Sequence, residues 1–423
     1  MRRTSSPSRP ARCPTTDAPP AMPRGFVAVA DPVSGVGAIS TGARSGRARR
    51  ARPAGKWAVV ALLTVVAAVG AALTSAGGRA AASRSALAQG PEALQPGGVT
   101  AATTPGDSSS YFSPPALADT SAPGRVVLSG PDAPDPFVLV DGSQEYLYTS
   151  NGTLTTTNVP TYTLLADGRF GNLRDAMPQL PPWSFGGFTW APDVRKVKGG
   201  WALYFTAALK GASPAMQCIG DAFGQSPVGP FRAQPKPFIC QRAQRGSIDP
   251  RTFVDSNGAL WLYWKSDDNA SPDIPWKTGN GYTGIYAQRL SANGKVLLGA
   301  AERIMQPTLP WEGTIVEAPD MVLEQGRYWM FFSGGWFNSA GYAVGVASCA
   351  GPLGPCTPVS VRPLLSSNSQ GAGPGEESVF QSSSGFWLLY NPWKSNDPNP
   401  TPNRPVEMAR LGFTTAGPYL AAL

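Results

Sequence analysis

The chain is predicted to be all-β, a five-bladed β-propeller, on three observations. One unit recurs five times between residues 132 and 392: an acidic or proline-containing entry, a short apolar run, a glycine turn and an aromatic-rich run. The aromatics that end the copies, at Tyr148, Phe205, Trp264, Phe332 and Tyr390, are spaced by 57, 59, 68 and 58 residues. Helix-period amphipathic stretches are scarce, while 48 Gly and 44 Pro favour short strands joined by turns. One hairpin cannot bury its apolar face alone. Blades stacked around an axis share a core and leave only short, protected edges.

The copies run in order. The first is Asp135-Pro-Phe-Val-Leu-Val-Asp-Gly with Tyr-Leu-Tyr148, and the second Ala191-Pro-Asp-Val with Gly-Gly-Trp-Ala-Leu-Tyr-Phe205. The third is Asp249-Pro-Arg-Thr-Phe-Val-Asp-Ser-Asn-Gly with Leu-Trp-Leu-Tyr-Trp264. The fourth is Glu317-Ala-Pro-Asp-Met-Val-Leu-Glu-Gln-Gly with Arg-Tyr-Trp-Met-Phe-Phe332, and the fifth Glu377-Ser-Val-Phe with Gly-Phe-Trp-Leu-Leu-Tyr390. Innermost strands of a ring open on one central mouth, so Asp135, Asp249 and Glu317 are expected to converge there as a carboxylate site. The alternating segment Arg404–Phe413 is expected to complete a blade by pairing with the start of the domain, closing the ring.

Composition divides the chain into four regions. Residues 1–56 carry eleven Lys or Arg and two Asp with no apolar period, and read as a disordered basic tail. Residues 57–76 are uncharged and long enough to span a bilayer, a transmembrane anchor or a signal segment. Arg44, Arg47, Arg49, Arg50, Arg52 and Lys56 precede it, which keeps the tail cytoplasmic and places the propeller outside the cytoplasm. An uncleaved segment would leave the domain on the cell membrane; cleavage near Ala86-Leu-Ala88 would release it. Residues 77–122 are a flexible linker and 123–423 the propeller. Beyond the tail, 24 basic residues face 25 acidic ones, so the propeller is about neutral and a nucleic-acid partner loses its electrostatic support.

An exported domain permits disulfides. Cys218 with Cys240, and Cys349 with Cys356, are the expected pairs, four buried thiols being the alternative, and Cys13 is the odd one in the tail. The chain has no histidine, which removes Ser-His-Asp and Cys-His catalysis, His-ligated zinc and imidazole acid–base chemistry. Phosphate-binding and dinucleotide fingerprints are also absent. Paired carboxylates remain, as in glycoside hydrolysis.

Asp135-Pro-Phe, Trp190-Ala-Pro-Asp-Val, Ile248-Asp-Pro-Arg-Thr-Phe and Val316-Glu-Ala-Pro-Asp-Met, in that order, resemble glycoside hydrolase family 43. The stretch Phe332–Ala347 and Gly351-Pro-Leu-Gly-Pro resemble its fourth blade. The resemblance implies an inverting hydrolase of O-glycosidic bonds, arabinofuranosidase- or xylosidase-like, acting on arabinose- or xylose-containing poly- or oligosaccharides; the chain is expected to be a monomer. Carried over by motif, Asp135 is the general base, Glu317 the general acid and Asp249 the residue that tunes and orients the acid. Burial and a neighbouring anion are expected to raise the acid's pKa while the base stays ionised and solvated, the two carboxyls about 6.5–9.5 Å apart.

Trp190, Trp336, Phe337 and Arg404 are the expected substrate contacts, with Trp183, Phe185 and Trp311 also near the motifs. Trp261, Trp329 and Trp387 are assigned to the core, and Asp193 and Asp320 to structural roles. The fifth copy departs from the family: Gly373-Pro-Gly-Glu-Glu-Ser-Val379 and Leu389-Tyr-Asn-Pro-Trp393 stand where many members carry a histidine linked to calcium. No cofactor is required for the chemistry. Glu376 and Glu377 are candidate oxygen ligands for a structural calcium, a salt bridge being the alternative. Two rival readings are a fructoside-cleaving five-bladed glycosidase, whose Asn-Asp-Pro-Asn entry and Glu-Cys segment match poorly here, and a carbohydrate-binding propeller without activity.

Overall fold

The structure, a computed structural model, describes residues 124–421 apart from 131, 153, 155, 213–214, 269–280, 370 and 395–403. The basic tail, residues 57–76 and the linker lie outside the described residues. Among the described residues no helix is long and apolar enough to cross a membrane.

Five antiparallel sheets form the propeller. The segment β1 (Arg125–Leu128) precedes the first blade, which is β2 (Phe137–Asp141), β3 (Gln144–Tyr148), β4 (Pro160–Leu164) and β5 (Phe170–Asp175). The second is β6 (Ser184–Val197), β7 (Gly200–Leu209), β8 (Gln217–Gly224) and β9 (Arg232–Ala233). The third is β10 (Ser247–Val254), β11 (Leu260–Ser266), β12 (Ile285–Leu290) and β13 (Leu297–Met305). The fourth is β14 (Val316–Glu324), β15 (Arg327–Gly334), β16 (Ala343–Cys349) and β17 (Cys356–Pro358). The fifth is β18 (Ala372–Ser382), β19 (Gly385–Trp393) and β20 (Val406–Thr414), whose outer edge is shared by β1 and by β21 (Gly417–Ala421). Arg125 pairs with Met408 and Val126 with Glu407, so the amino-terminal strand closes the ring as the alternating pattern of 404–413 predicts.

The core is divided in the same way. Each of five buried clusters joins two neighbouring blades, as Phe137 and Tyr148 meet Trp201 and Phe205, or Val127 and Leu147 meet Leu389 and Met408. The aromatic ends of the copies, Tyr148, Phe205, Trp264, Phe332 and Tyr390, are all buried in these seams. This is why the aromatic period is the blade period: each blade must present apolar surface on both faces. The Cys218 and Cys240 sulfurs are bonded beside β8, and Cys349 is bonded to Cys356 across the β16–β17 pair.

One local feature places the site. Asp135, Ala191, Asp249, Ala318 and Glu376, one per blade entry, have φ of 56°, 45°, 55°, 50° and 52°, a conformation uncommon for residues other than glycine. In blades two to five it coincides with a register shift between Trp190 and Asp193, Ile248 and Arg251, Glu317 and Asp320, and Gly375 and Ser378. Such a bulge re-aims side chains and frees a backbone N–H.

The freed donors are satisfied across the blade seams. Ala191 N–H donates to Ser150 Oγ (2.8 Å), Asp249 N–H to Thr206 Oγ1 (3.1 Å), Glu376 N–H to Ser333 Oγ (2.9 Å) and Asp135 N–H to Asn391 Oδ1 (2.9 Å). In the remaining seam Lys265 comes directly after Trp264, where Thr206, Ser333 and Asn391 come after their own aromatics. An ammonium cannot accept. There Ala318 N–H donates instead to Asp249 Oδ2 (3.3 Å).

Candidate active site

The acids do not stand at equivalent positions. Asp249 and Glu376 are the bulge residues of their blades and Asp135 has the same left-handed backbone ahead of β2, whereas Glu317 precedes its bulge residue Ala318, in the place that Trp190 and Ile248 hold in blades two and three. Carboxylate oxygens of Asp249, Glu317 and Glu376 lie within 4.8 Å of one another, and Asp135 stands outside that group. Glu376 is thus a fourth acid at the mouth. From the sequence it is a candidate only as a calcium ligand, because the bulge that turns it inward is invisible in the repeat.

Each acid has built partners. Asp135 accepts a hydrogen bond from Ser150 Oγ, which itself accepts from Ala191 N–H, so the hydroxyl is oriented toward the carboxylate. Glu317 Oε2 accepts from the ammonium of Lys265 at 2.7 Å, and Oε1 from the Tyr342 hydroxyl at 2.7 Å. Tyr342 is also 2.9 Å from Glu376 Oε1. Lys265, fully enclosed, lies 3.4 Å from Asp267 as well. Neither Lys265 nor Tyr342 is among the residues expected from the sequence. The signal for Lys265 was present, since it breaks the run of small polar residues at its position in the repeat; Tyr342 lies outside the repeat and carried none.

Burial, and then the Glu317 charge, pushes Asp249 up to about 7. Burial and the Asp249, Asp135 and Glu317 charges hold Glu376 well above the carboxylate range. Asp135, expected as the solvated, ionised base, is partly exposed, and burial raises its pKa against the pull of Arg404 and the Ser150 hydrogen bond. Tyr342 is raised well above 10 by burial and by Glu317 and Glu376, so its hydroxyl keeps its hydrogen.

The aromatic candidates separate. Trp190 is partly exposed and packs edge-on against Phe188 at 6.1 Å. Trp336 is half-buried, while Phe337 and Phe185 are exposed, free to meet a ligand. Trp183 stacks on Phe205 and Trp311 on Phe332, which commits both to packing. Trp329 is buried, and Trp261 and Trp387 pack half-buried against the core.

Arg404, expected to reach sugar hydroxyls, is held on one edge by Asp132. Its Nε and Nη2 lie 2.9 and 2.7 Å from the two oxygens of buried Asp132, and the guanidinium stacks on Trp393 at 4.9 Å. Its positive charge also acts on Asp135. Asp193 and Asp320 are buried beneath the acids, Asp193 accepting from Thr252 (2.6 Å) and Asp320 from Val379 N–H (2.8 Å) with Arg251 3.9 Å away.

Glu376 and Glu377 do not form a calcium cradle. Glu376 faces Tyr342 and the other acids, whereas Glu377 accepts from Ser333 Oγ and is influenced by Asp320 and Arg251. Calcium takes six to eight oxygens, while the carboxylate group at the mouth already holds the Lys265 ammonium on Glu317. Glu376 and Glu377 therefore do not share one oxygen site.

Glu377 is fully buried, its Oε1 lacks a hydrogen-bond partner among the described residues, and burial pushes its pKa up to about 8 despite the Ser333 hydrogen bond. An unfolded glutamate titrates near 4.3. Between those values folding takes up a proton, so this group's contribution is fully present at low pH and is lost as pH rises toward about 8. Glu377→Gln is therefore expected to raise the thermal midpoint at pH about 8 and to leave it almost unchanged at pH about 5. Thermal scans across that range check this; a midpoint at the alkaline end equal to or below wild type would contradict it.

A model of the family described as glycosyl hydrolases family 43 matches residues 124–418. The chain is 24% identical over 330 residues to an extracellular exo-alpha-(1->5)-L-arabinofuranosidase of Streptomyces avermitilis, covering 72% of this chain and 65% of that enzyme. It therefore spans less than two thirds of that relative. Among solved structures, a thermostable family-43 glycoside hydrolase superposes with a TM-score of 0.59 at 25% identity, over 72% of this chain and 95% of the other. An alpha-L-arabinofuranosidase from Lactobacillus brevis gives a TM-score of 0.56 at 19% identity, covering 68% of this chain and 93% of the other, and shows the shared fold alone.

Proposed function

The chain belongs to glycosyl hydrolase family 43, and from that premise we propose that it is an exported glycosidase that cleaves arabinofuranosyl or xylosyl O-glycosidic bonds with inversion. The observation that carries this reading is the meeting of Asp249, Glu317 and Glu376 at one mouth, with Asp135 beside them but outside their 4.8 Å group. Glu317 acts as general acid toward the glycosidic oxygen and Asp135 as general base toward water. Oε2 of Glu317 already accepts from an ammonium at 2.7 Å, which makes it the poorer base. Oε1, beside Tyr342, is then the oxygen that carries the proton. Ser150 orients Asp135, and Arg404 counters the burial that would neutralise it. Asp249 sets the local field on the acid, and exposed Phe337 and half-buried Trp190 and Trp336 offer faces to a sugar. The chemistry calls for no cofactor.

Export is supported by the extracellular name of the Streptomyces relative, the two disulfides and the apolar segment at 57–76 preceded by arginines. Defined arabinan, xylan and galactan fragments, with the product anomer monitored by proton NMR, provide the test. Release of arabinose or xylose with the inverted anomer first is expected. The retained anomer would sink the mechanism, and no turnover of any fragment would favour a sugar-binding propeller.

A further inference from the structure

Tyr342 poses a hydrogen-bond problem that the catalytic assignment leaves unsolved. Its hydroxyl is 2.7 Å from Glu317 Oε1 and 2.9 Å from Glu376 Oε1, and the ring is buried. A phenol has one hydrogen to donate, and an ionised carboxylate has none. With both glutamates charged, one of the two contacts would be oxygen against oxygen with no hydrogen between them. A proton on one of the two glutamates supplies the missing hydrogen.

We propose that Glu376, Tyr342 and Glu317 form a proton-sharing chain, in which Glu376 returns a proton through the tyrosine hydroxyl to the acid after each turnover. In one arrangement Glu376 carries the proton and donates to the Tyr342 oxygen, while the tyrosine hydrogen points at Glu317 Oε1. In the other, Tyr342 points at Glu376 and Glu317 Oε1 carries the proton. Passing between them breaks the O–H bonds of Glu376 and Tyr342 and forms new ones at Tyr342 and Glu317, so the tyrosine ends as it began. Once Glu317 has given its proton to the leaving oxygen, this transfer reloads it. Glu376, left as carboxylate and partly exposed, regains a proton from water.

The surroundings favour the shared proton. Glu376 faces Asp249 from β10, Asp135 from the first blade entry, Glu317 from β14, Tyr342 from the loop before β16 and the Arg404 charge from the segment before β20. Its backbone is fixed by the Ser333 hydrogen bond, and burial and the three acids raise it well above the carboxylate range. The ammonium of Lys265 sits on the other oxygen of Glu317, so the proton returns to one defined atom. Glu376 is a positioning and proton-sharing residue, acting through Glu317.

The catalytic consequence rests on the glycosidase reading, but the proton does not. Infrared spectra of the wild type and of Glu376→Gln at neutral pH are expected to differ by the loss of a protonated-carboxyl C=O band; Tyr342→Phe should keep a band and shift it. Spectra of wild type and Glu376→Gln without that difference would overturn the proposal. In kinetics, Glu376→Gln should lower kcat about tenfold or more on a pentosyl disaccharide, and about threefold or less on the 4-nitrophenyl glycoside, whose leaving group needs little protonation. Equal losses on both substrates would mean a merely structural role and would also overturn it. A wild type that shows the band yet hydrolyses no pentoside would sink the glycosidase reading and leave the proton chain standing.

Discussion

Glu317→Gln is expected to cut turnover of an arabino- or xylo-oligosaccharide by about 10²–10⁴-fold, the usual worth of a positioned general acid. The amide keeps the shape and the hydrogen bonds: its oxygen can accept from Lys265 and its NH2 can donate to the Tyr342 oxygen, at the places where the carboxylate now holds both partners 2.7 Å away. The fold should therefore survive, with KM changed little, because the loss falls in the transition state. The deficit should shrink as the leaving group becomes a better anion, since an aryl oxide departs with little help. A variant within about tenfold of wild type on the oligosaccharide would remove Glu317 from the acid's role. Asp135→Asn separates the other role: loss of the base should impair good and poor leaving groups alike, because water must still be activated.

The ring was legible in the sequence because its cause is periodic. Every blade buries both faces, so Phe205, Trp264 and their counterparts recur, and the alternation of Arg404–Phe413 announces a strand in need of a partner, found in Arg125–Leu128. That Asp249 and Glu317 meet was legible because both open the first strands of their blades. The features that were not legible depend on local backbone and on loops. In the fifth blade the left-handed Glu376 coincides with a shift of register, so Glu376, rather than the Glu377 aligned with the repeat, faces the mouth, and Glu377 turns to Ser333. Tyr342 reaches Glu317 from the connection before β16, which no period describes. The Asp132 partner of Arg404, 272 residues away in sequence, was likewise outside any period.

Lys265→Met should be among the most destabilising single changes in the domain, at about 3–5 kcal/mol, the range for removing one partner of a buried ion pair. Burial opposes the Lys265 charge, yet Glu317, Asp267 and Asp249 outweigh it and hold the ammonium above its ordinary value. Those acids are themselves buried, Asp249 and Glu317 at 7% and 5% exposure, and they have been placed around a cation. Methionine fills the stem's volume and leaves the carboxylates facing one another without it. This fixes the sign of the pH dependence. Without Lys265, Asp249 gains a proton more readily folded than unfolded, so the variant is least impaired at low pH, and the deficit grows as pH rises through the range in which Asp249, already at about 7, would titrate. Chemical denaturation at pH about 5 and about 8 reads this directly, and the double variant Lys265→Met with Glu317→Gln should recover part of the loss by removing one stranded charge. A single-variant cost below about 1 kcal/mol at the higher pH would mean that water or a shared proton, not the ammonium, balances the acids at the mouth.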